Sequence, residues 1–283
     1  MSPQAPASRR FAQVDVFGAE PLRGNPLAVV VDSGGLDTAA MQRFANWTNL
    51  SETTFLLPPS HPDADYAVRI FTPAHELPFA GHPTLGSCHA WLQAGGRPAD
   101  PDVVVQECGA GLVRVRRDPG RLAFAAPPLL RSGPVDDATL RRALTMIGAD
   151  EADVVDAAWA ANGPGWLAIL MADAERVLAL RPGAGDLDIG VVAPRPPGEA
   201  AAFEIRAFFP DHGLLLEDPV TGSLNASVAQ WLIATGRATP PYTVVQGTAL
   251  GRAGRVAISA DADGTVWVGG ATVTCVDGTV AIP

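Results

Sequence analysis

The chain has 283 residues, with 30 acidic against 20 basic side chains and a formal net charge of −10, and every basic residue is arginine. Without lysine it forms no Schiff base and has no phosphate-loop lysine, and its acidic balance argues against nucleic acid or an anionic membrane as partner. A composition 47% hydrophobic and 18% charged predicts an ordered globular protein, as one large domain or two medium ones.

In chain order, residues 1–10 are mostly Ser, Pro and Ala with two arginines, which predicts a disordered start. No apolar h-region follows, so a signal peptide is not expected. Residues 11–17 alternate as a strand, 18–26 form a Gly/Pro/Asn loop, and 27–31 read as a buried strand. Asp37 caps a helix to about Trp47, with Met41, Phe44, Ala45 and Trp47 at helical spacing. Strands follow at 53–57 and 66–71, then a helix at 83–93 stopped by Gly95-Gly96, then short strands at 103–107, 112–116 and 121–125. The pattern changes at Pro127-Pro128, which sets an expected boundary. Residues 1–127 would form one domain and 128–271 a second, with a strand near 272–283 returning to the first. The second half reads as helix 137–147, strand 166–171, helix 173–180, a Pro/Gly-rich connection 181–198, strand 203–209, helix 222–235 and three Gly-punctuated strands.

The cysteines, Cys88, Cys108 and Cys275, are odd in number and lack a CxxC pair, which points to reduced thiols and a cytoplasmic protein. No apolar run approaches the ~18–20 residues that span a bilayer. Gly109-Ala110-Gly111 lacks the rest of a dinucleotide fingerprint, and neither a metal-ligand set nor a nucleophile elbow is evident.

An internal repeat carries most of the information. Residues 91–97 (WLQAGGR) and 231–237 (WLIATGR) agree at five of seven positions. Upstream of each stands R-x-F-x-P, at Arg69, Phe71, Pro73 and at Arg206, Phe208, Pro210, although the spacing differs by three residues. Two linked blocks in the same order predict a duplicated architecture, with two similar domains about a pseudo-twofold axis. Both repeated helices are apolar nearly all round and are therefore expected to be buried, each inside a curled sheet.

Small residues and an ionisable group precede each buried helix: Phe79-Ala80-Gly81-His82-Pro83-Thr84 and Glu217-Asp218-Pro219-Val220-Thr221-Gly222-Ser223. Free amides and the helix dipole make such a start a carboxylate site, and a facing pair would converge on one cleft. His82, Asp218 and Ser223 can equally be helix caps. Glu52, at the entry of a strand, reads as a solvated glutamate or a functional carboxylate. Asn25, in Gly24-Asn25-Pro26, suits a turn, with substrate contact as its other reading.

Four segments, 15–17 with 24–29, 49–55, 81–84 and 217–223, together resemble the PhzF family, whose namesake is a phenazine-biosynthesis isomerase. The resemblance covers essentially the whole chain. It implies the diaminopimelate-epimerase fold, an α+β architecture of two similar domains, each a curled mixed β-sheet or barrel around a central helix. It also implies that Glu52 is the acid/base, that His82 and Asp218 are polar partners of the substrate, and that Gly81, Gly222 and Ser223 cradle its carboxylate. The implied reaction is a cofactor-independent isomerisation of the trans-2,3-dihydro-3-hydroxyanthranilate type, in which one carboxylate moves a proton between carbons. A water-poor cleft would raise that glutamate's pKa from about 4.3 toward neutrality. The partner is a small carboxylate, and the resemblance implies a homodimer. An epimerase or dehydratase on an amino-acid-like substrate, or a non-catalytic binder of the same fold, are the alternatives. Neither helix-start loop holds a cysteine, which disfavours two-thiol racemisation. The second motif continues Ser223-Leu224-Asn225, where many relatives have a small residue and then histidine.

Overall fold

A computed structural model describes residues 7–283. The chain runs through β1 (Ala7–Val16), β2 (Asn25–Val30), α1 (Thr38–Thr48), β3 (Thr53–Leu57), β4 (Tyr66–Phe71), β5 (Glu76–Leu77), α2 (Gly81–Gln93), β6 (Val103–Cys108), β7 (Gly111–Asp118) and β8 (Arg121–Ala125). It continues through β9 (Arg131–Pro134), α3 (Asp137–Ile147), β10 (Val154–Ala161), β11 (Leu167–Met171), α4 (Ala174–Ala179), β12 (Ile189–Pro194), β13 (Phe203–Asp211) and β14 (Leu214–Asp218). Then come α5 (Gly222–Ala234), β15 (Tyr242–Gln246), β16 (Gly254–Ala260), β17 (Val266–Gly270) and β18 (Thr272–Ile282). Two compact units result: residues up to Ala125 together with Gly269–Pro283, and Ala126–Val268. No helix is long and apolar enough to cross a membrane among the described residues.

In the first unit β18 pairs antiparallel with β1, and β1 with β2. The ladder then alternates: β2 parallel to β3, β3 antiparallel to β4, β4 parallel to β6, and β6 antiparallel to β7, with β8 after it. Among the described residues no pairing joins β8 to β18, so this sheet is not closed. The helix α2 touches β1, β2, β3, β6, β7, β8 and β18, as a central helix must. Gly86 permits that approach: a Cβ there would lie 2.5 Å from a Leu27 methyl and 2.9 Å from one of Val14. Outside the sheet, α1 is fixed by its cap, because the Asp37 carboxylate accepts from the Ala40 N–H at 2.7 Å. Its inner face packs Met41, Phe44 and Ala45 onto Val30, Phe55 and Phe71.

The second unit repeats this plan. β9 pairs with β10, β10 antiparallel with β11, β11 parallel with β12, β12 antiparallel with β13, β13 parallel with β15, and β15 antiparallel with β16. Register repeats as well as topology. The rung Ala28–Thr53–Phe71–Glu76 corresponds to Leu167–Ile189–Phe208–Glu217. On each rung an arginine two residues before the phenylalanine binds the glutamate through two nitrogens, Arg69 to Glu76 and Arg206 to Glu217. Each guanidinium also lies over that phenylalanine ring, at 5.1 and 4.9 Å. The R-x-F motif is therefore one structural device made twice.

Several expectations change. The disordered start is overturned at residues 7–10, which already pair with β18; residues 1–6 lie outside the described residues. The Pro/Gly-rich connection contains β12, a buried strand whose short apolar core is flanked by Asp188 and Pro194. Four strands, not three, follow α5, and the edge or hairpin strands β5, β9, β10 and β14 escaped the pattern. The two Trp-Leu blocks match one residue out of register. Both helices have 13 residues, beginning at Gly81 and Gly222, so Trp91 corresponds to Leu232. The three-residue spacing difference arises because the β13–β14 hairpin is four residues longer than β4–β5, while the interval from glutamate to tryptophan is one residue shorter.

Candidate active site

Glu52 is placed by the end of α1. Asn49 adopts a left-handed conformation (φ 55°) and returns its N–H to the Ala45 carbonyl, which stops the helix. The Thr48 and Thr53 hydroxyls are 2.8 Å apart across the turn, so Glu52 enters β3 on a fixed backbone. Its Oε2 lies 3.4 Å from His82 Nε2, with the two side chains 16% and 6% exposed. On the other side of the ring, His82 Nδ1 is 3.4 Å from Asn25 Nδ2. Asn25 begins β2 and is fully buried. The loop before it is shaped by Asp15, whose Oδ2 accepts from the N–H groups of Arg23 and Gly24, each at 2.7 Å. Three residues from separate segments thus form one line: Asn25, His82, Glu52.

Burial pushes the His82 pKa down to about 3, so the imidazole is neutral near pH 7. A neutral ring has one proton. An amide NH2 facing Nδ1 favours placing that proton on Nε2, the side of Glu52. At 3.4 Å the Nε2–Oε2 contact is not itself a hydrogen bond, and the neutral ring places no cation beside the carboxylate.

His82 is the second residue of α2. The N-cap of that helix is Ala80, in extended backbone, and no side-chain cap bond is made there. A buried chain supports its first turn: Tyr66 O–H donates to Gln106 Oε1, Gln106 Nε2 to Thr84 Oγ1, and Thr84 O–H to the Ala80 carbonyl. Capping by His82 is therefore not its role.

In the second unit the N-cap position of α5 is Thr221, which makes no side-chain cap bond, so neither Asp218 nor Ser223 occupies that position. Asp218 ends β14 and accepts the Thr221 hydroxyl at 2.5 Å. Gln246 braces this loop, accepting from the Thr221 N–H at 3.0 Å and from Asn225 Nδ2 at 2.8 Å. Its own amide donates to Thr221 Oγ1 and the Asp218 carbonyl. The Ser223 hydroxyl accepts from Trp166 Nε1 at 3.1 Å. Gly81 and Gly222 are the first residues of their helices and are buried.

Gln106, Gln246 and Trp166 were missed by sequence reasoning, each being a single polar or aromatic residue beside an apolar run with no local pattern around it. Thr221 lay inside the 217–223 motif but was given no role of its own. Cys88 is buried in α2 with its thiol pushed up to about 12 by desolvation, which leaves it inert. No group of three His, Cys, Asp or Glu suited to a metal occurs among the described residues.

Comparison with known proteins identifies the family. The PhzC-PhzF family, described as phenazine biosynthesis-like protein, matches residues 14–278. Antisense-enhancing sequence 1 of Schizosaccharomyces pombe is 36% identical over 291 residues, covering 95% of this chain and 97% of the relative. Trans-2,3-dihydro-3-hydroxyanthranilate isomerase of Pseudomonas aeruginosa is 33% identical over 268 residues, covering 90% and 91%. The crystal structure of a PhzF-family phenazine biosynthesis protein from Bacillus anthracis superimposes with a TM-score of 0.82 over 98% of this chain and all of that one, at 21% identity, a likeness of fold. Matched along nearly its whole length in sequence and in fold, the chain is an isomerase of the phenazine biosynthesis-like, PhzC-PhzF, family.

Proposed function

We propose that this isomerase moves a proton between carbons of a small carboxylate substrate of the trans-2,3-dihydro-3-hydroxyanthranilate type, with Glu52 as the acid/base. The observation that carries this reading is the Glu52–His82 pair, a nearly buried carboxylate facing a neutral imidazole at 3.4 Å. An adjacent cation would stabilise the carboxylate and weaken it as a base, whereas a neutral imidazole spares it that loss of basicity. Glu52 takes the proton as the C–H bond breaks, and the electron pair enters the substrate's conjugated system. Glu52 is 16% exposed, so its proton exchanges with solvent before one is returned to a different carbon; no net oxidation occurs and no redox cofactor is called for. Each unit has its own helix start suited to a carboxylate: α2 with Gly81 in the first, and α5 with Gly222 and Ser223 in the second. Asp218, held by the Thr221 hydroxyl, is the polar group beside the α5 start in the second unit. The name of the Pseudomonas aeruginosa relative supports the ring class. The partner is then a small molecule rather than nucleic acid or membrane.

Glu52→Gln tests this directly. Turnover of trans-2,3-dihydro-3-hydroxyanthranilate in deuterated water is expected to fall by ~10²–10⁴-fold, with loss of deuterium from the product. A folded Glu52→Gln protein with wild-type turnover would sink the proposal.

A further inference from the structure

Asn25, Glu52 and His82 stand at or just before the starts of β2, β3 and α2. The far ends of the same three elements border a separate cleft of about 570 Å³, within the range of small-molecule sites. Trp91, which lines it, lies nine residues along α2 from His82, so the two places are about 14 Å apart along the helix. Both belong to the first unit.

Arg9, near the start of β1, is the cation of that lining. Its Nη1 donates to the carbonyls of Asp32 and Gly34, at 2.6 and 2.9 Å, and both of those residues line the cleft as well. The guanidinium is thereby fixed at the cleft wall. Its Nε is buried and has no hydrogen-bond partner among the described residues. Elsewhere in this chain that edge of the group holds carboxylates: Arg69 takes Glu76, and Arg206 takes Glu217, each through Nε and Nη2. No acid of the cleft does the same for Arg9. Asp32 meets it through a carbonyl, and both oxygens of Asp65 are occupied by the N–H groups of Ala99 and Val105, at 2.8 and 2.7 Å. A buried donor left without an acceptor opposes folding, and here the missing partner is an anion.

The rest of the wall is apolar and stiff. Trp91 stacks on Tyr66 with 5.2 Å between ring centroids. Gly96 approaches so closely that a Cβ there would lie 2.3 Å from the indole. Pro58 and Pro59 add rigid apolar surface. The carbonyls of Trp91 and Leu92, at the end of α2, accept from the N–H groups of Gly96 and Gly95, which mutes the negative pole of the helix.

We propose that this cleft is a second, non-catalytic binding site, for an aromatic carboxylate. The Nε edge of Arg9 takes the carboxylate, and the ring lies against Trp91 and the two prolines. The site is independent of the Glu52–His82 pair at the other end of α2.

Calorimetry on the full chain with 2-naphthoate tests it. Wild type is expected to bind 2-naphthoate at least tenfold more tightly than neutral 2-naphthamide, the worth of a hydrogen bond between two charged groups. Arg9→Gln should remove that preference. Pro59→Glu sets a competing carboxylate at an exposed position of the cleft. It should weaken 2-naphthoate binding by about tenfold and leave the thermal midpoint unchanged. His82→Gln should bind 2-naphthoate as wild type does. A wild type that binds both ligands alike, or neither, overturns the inference, and so does binding unchanged in either Arg9→Gln or Pro59→Glu. Binding lost in His82→Gln would place the ligand at the candidate active site and overturn it as well.

Discussion

A histidine buried between an amide and a carboxylate has its proton placed by its neighbours. His82 is expected to be the Nε2–H tautomer, because Asn25 offers an NH2 to Nδ1 and Glu52 an oxygen toward Nε2. Nitrogen-15 NMR of labelled protein checks this: Nδ1 should resonate as a bare, imine-like nitrogen across the neutral range. Asn25→Asp replaces the donor with an acceptor and should move the proton to Nδ1 or charge the ring, with a shifted pH profile. An unchanged spectrum in that variant would mean Asn25 does not position the ring. Stability follows from the same burial. The folded pKa of about 3 lies below the unfolded value near 6.5, so between these values the unfolded chain binds more protons at this site. Stability is full above about pH 6.5 and falls with acid by about 1.4 kcal/mol per pH unit until about pH 3. Denaturant titrations of wild type and His82→Gln should show a shallower acid slope in the variant. Glu52 and His82 could be singled out in the sequence as ionisable residues at the entry of an apolar element, and the family resemblance of 49–55 and 81–84 implied their roles. Gln246 and Asn225 were not legible as a pair, because their contact depends on β15 lying beside the start of α5, which no local pattern encodes.

At the scale of elements, the close approach of α2 to its sheet depends on one glycine. Gly86→Ala would place a methyl 2.5 Å from Leu27 and 3.0 Å from Val16, and overpacking of this kind costs about 1–3 kcal/mol. A lowered thermal midpoint is the expected readout. Gly24 is less forgiving, since a Cβ there would lie 2.2 Å from the Val16 carbonyl oxygen, which cannot rotate away. Gly24→Ala should displace the neighbouring Asn25 and lower activity as well as stability. The sequence located α1, α2, α3 and α5 within two residues at each end, because capping residues and apolar periodicity are local. It found the duplication through R-x-F-x-P but aligned the helices through a Trp-Leu match one residue astray. The strand β12 was hidden because a six-residue run bounded by aspartate and proline is indistinguishable from a connection until β11 and β13 flank it.

At the scale of the molecule, the first unit is discontinuous in sequence and the second is continuous. The strand β18 carries eleven residues along β1, from Ala7–Ile282 to Val16–Thr272, with one irregularity near Gln13. Ending the chain after Gly270 should strip β1 of that partner. Hydrogen exchange is then expected to accelerate in β1, β2 and α2, while α3 and β11–β13, with their own core of Ile147, Leu167, Ile169, Val191 and Phe208, keep their protection. Equal loss of protection throughout would show that the units do not hold their stability separately.

That discontinuity also bears on synthesis. Residues 126–268 can leave the ribosome and fold as a block while β18 is still inside the exit tunnel. The half of the chain that is translated first is therefore completed last. Until β18 has been made and released, β1 has one of its two edges open, and the strand that carries Asn25 toward His82 is built on β1. The nascent protein would thus finish its second unit first and align Asn25, His82 and Glu52 only once β18 has docked on β1.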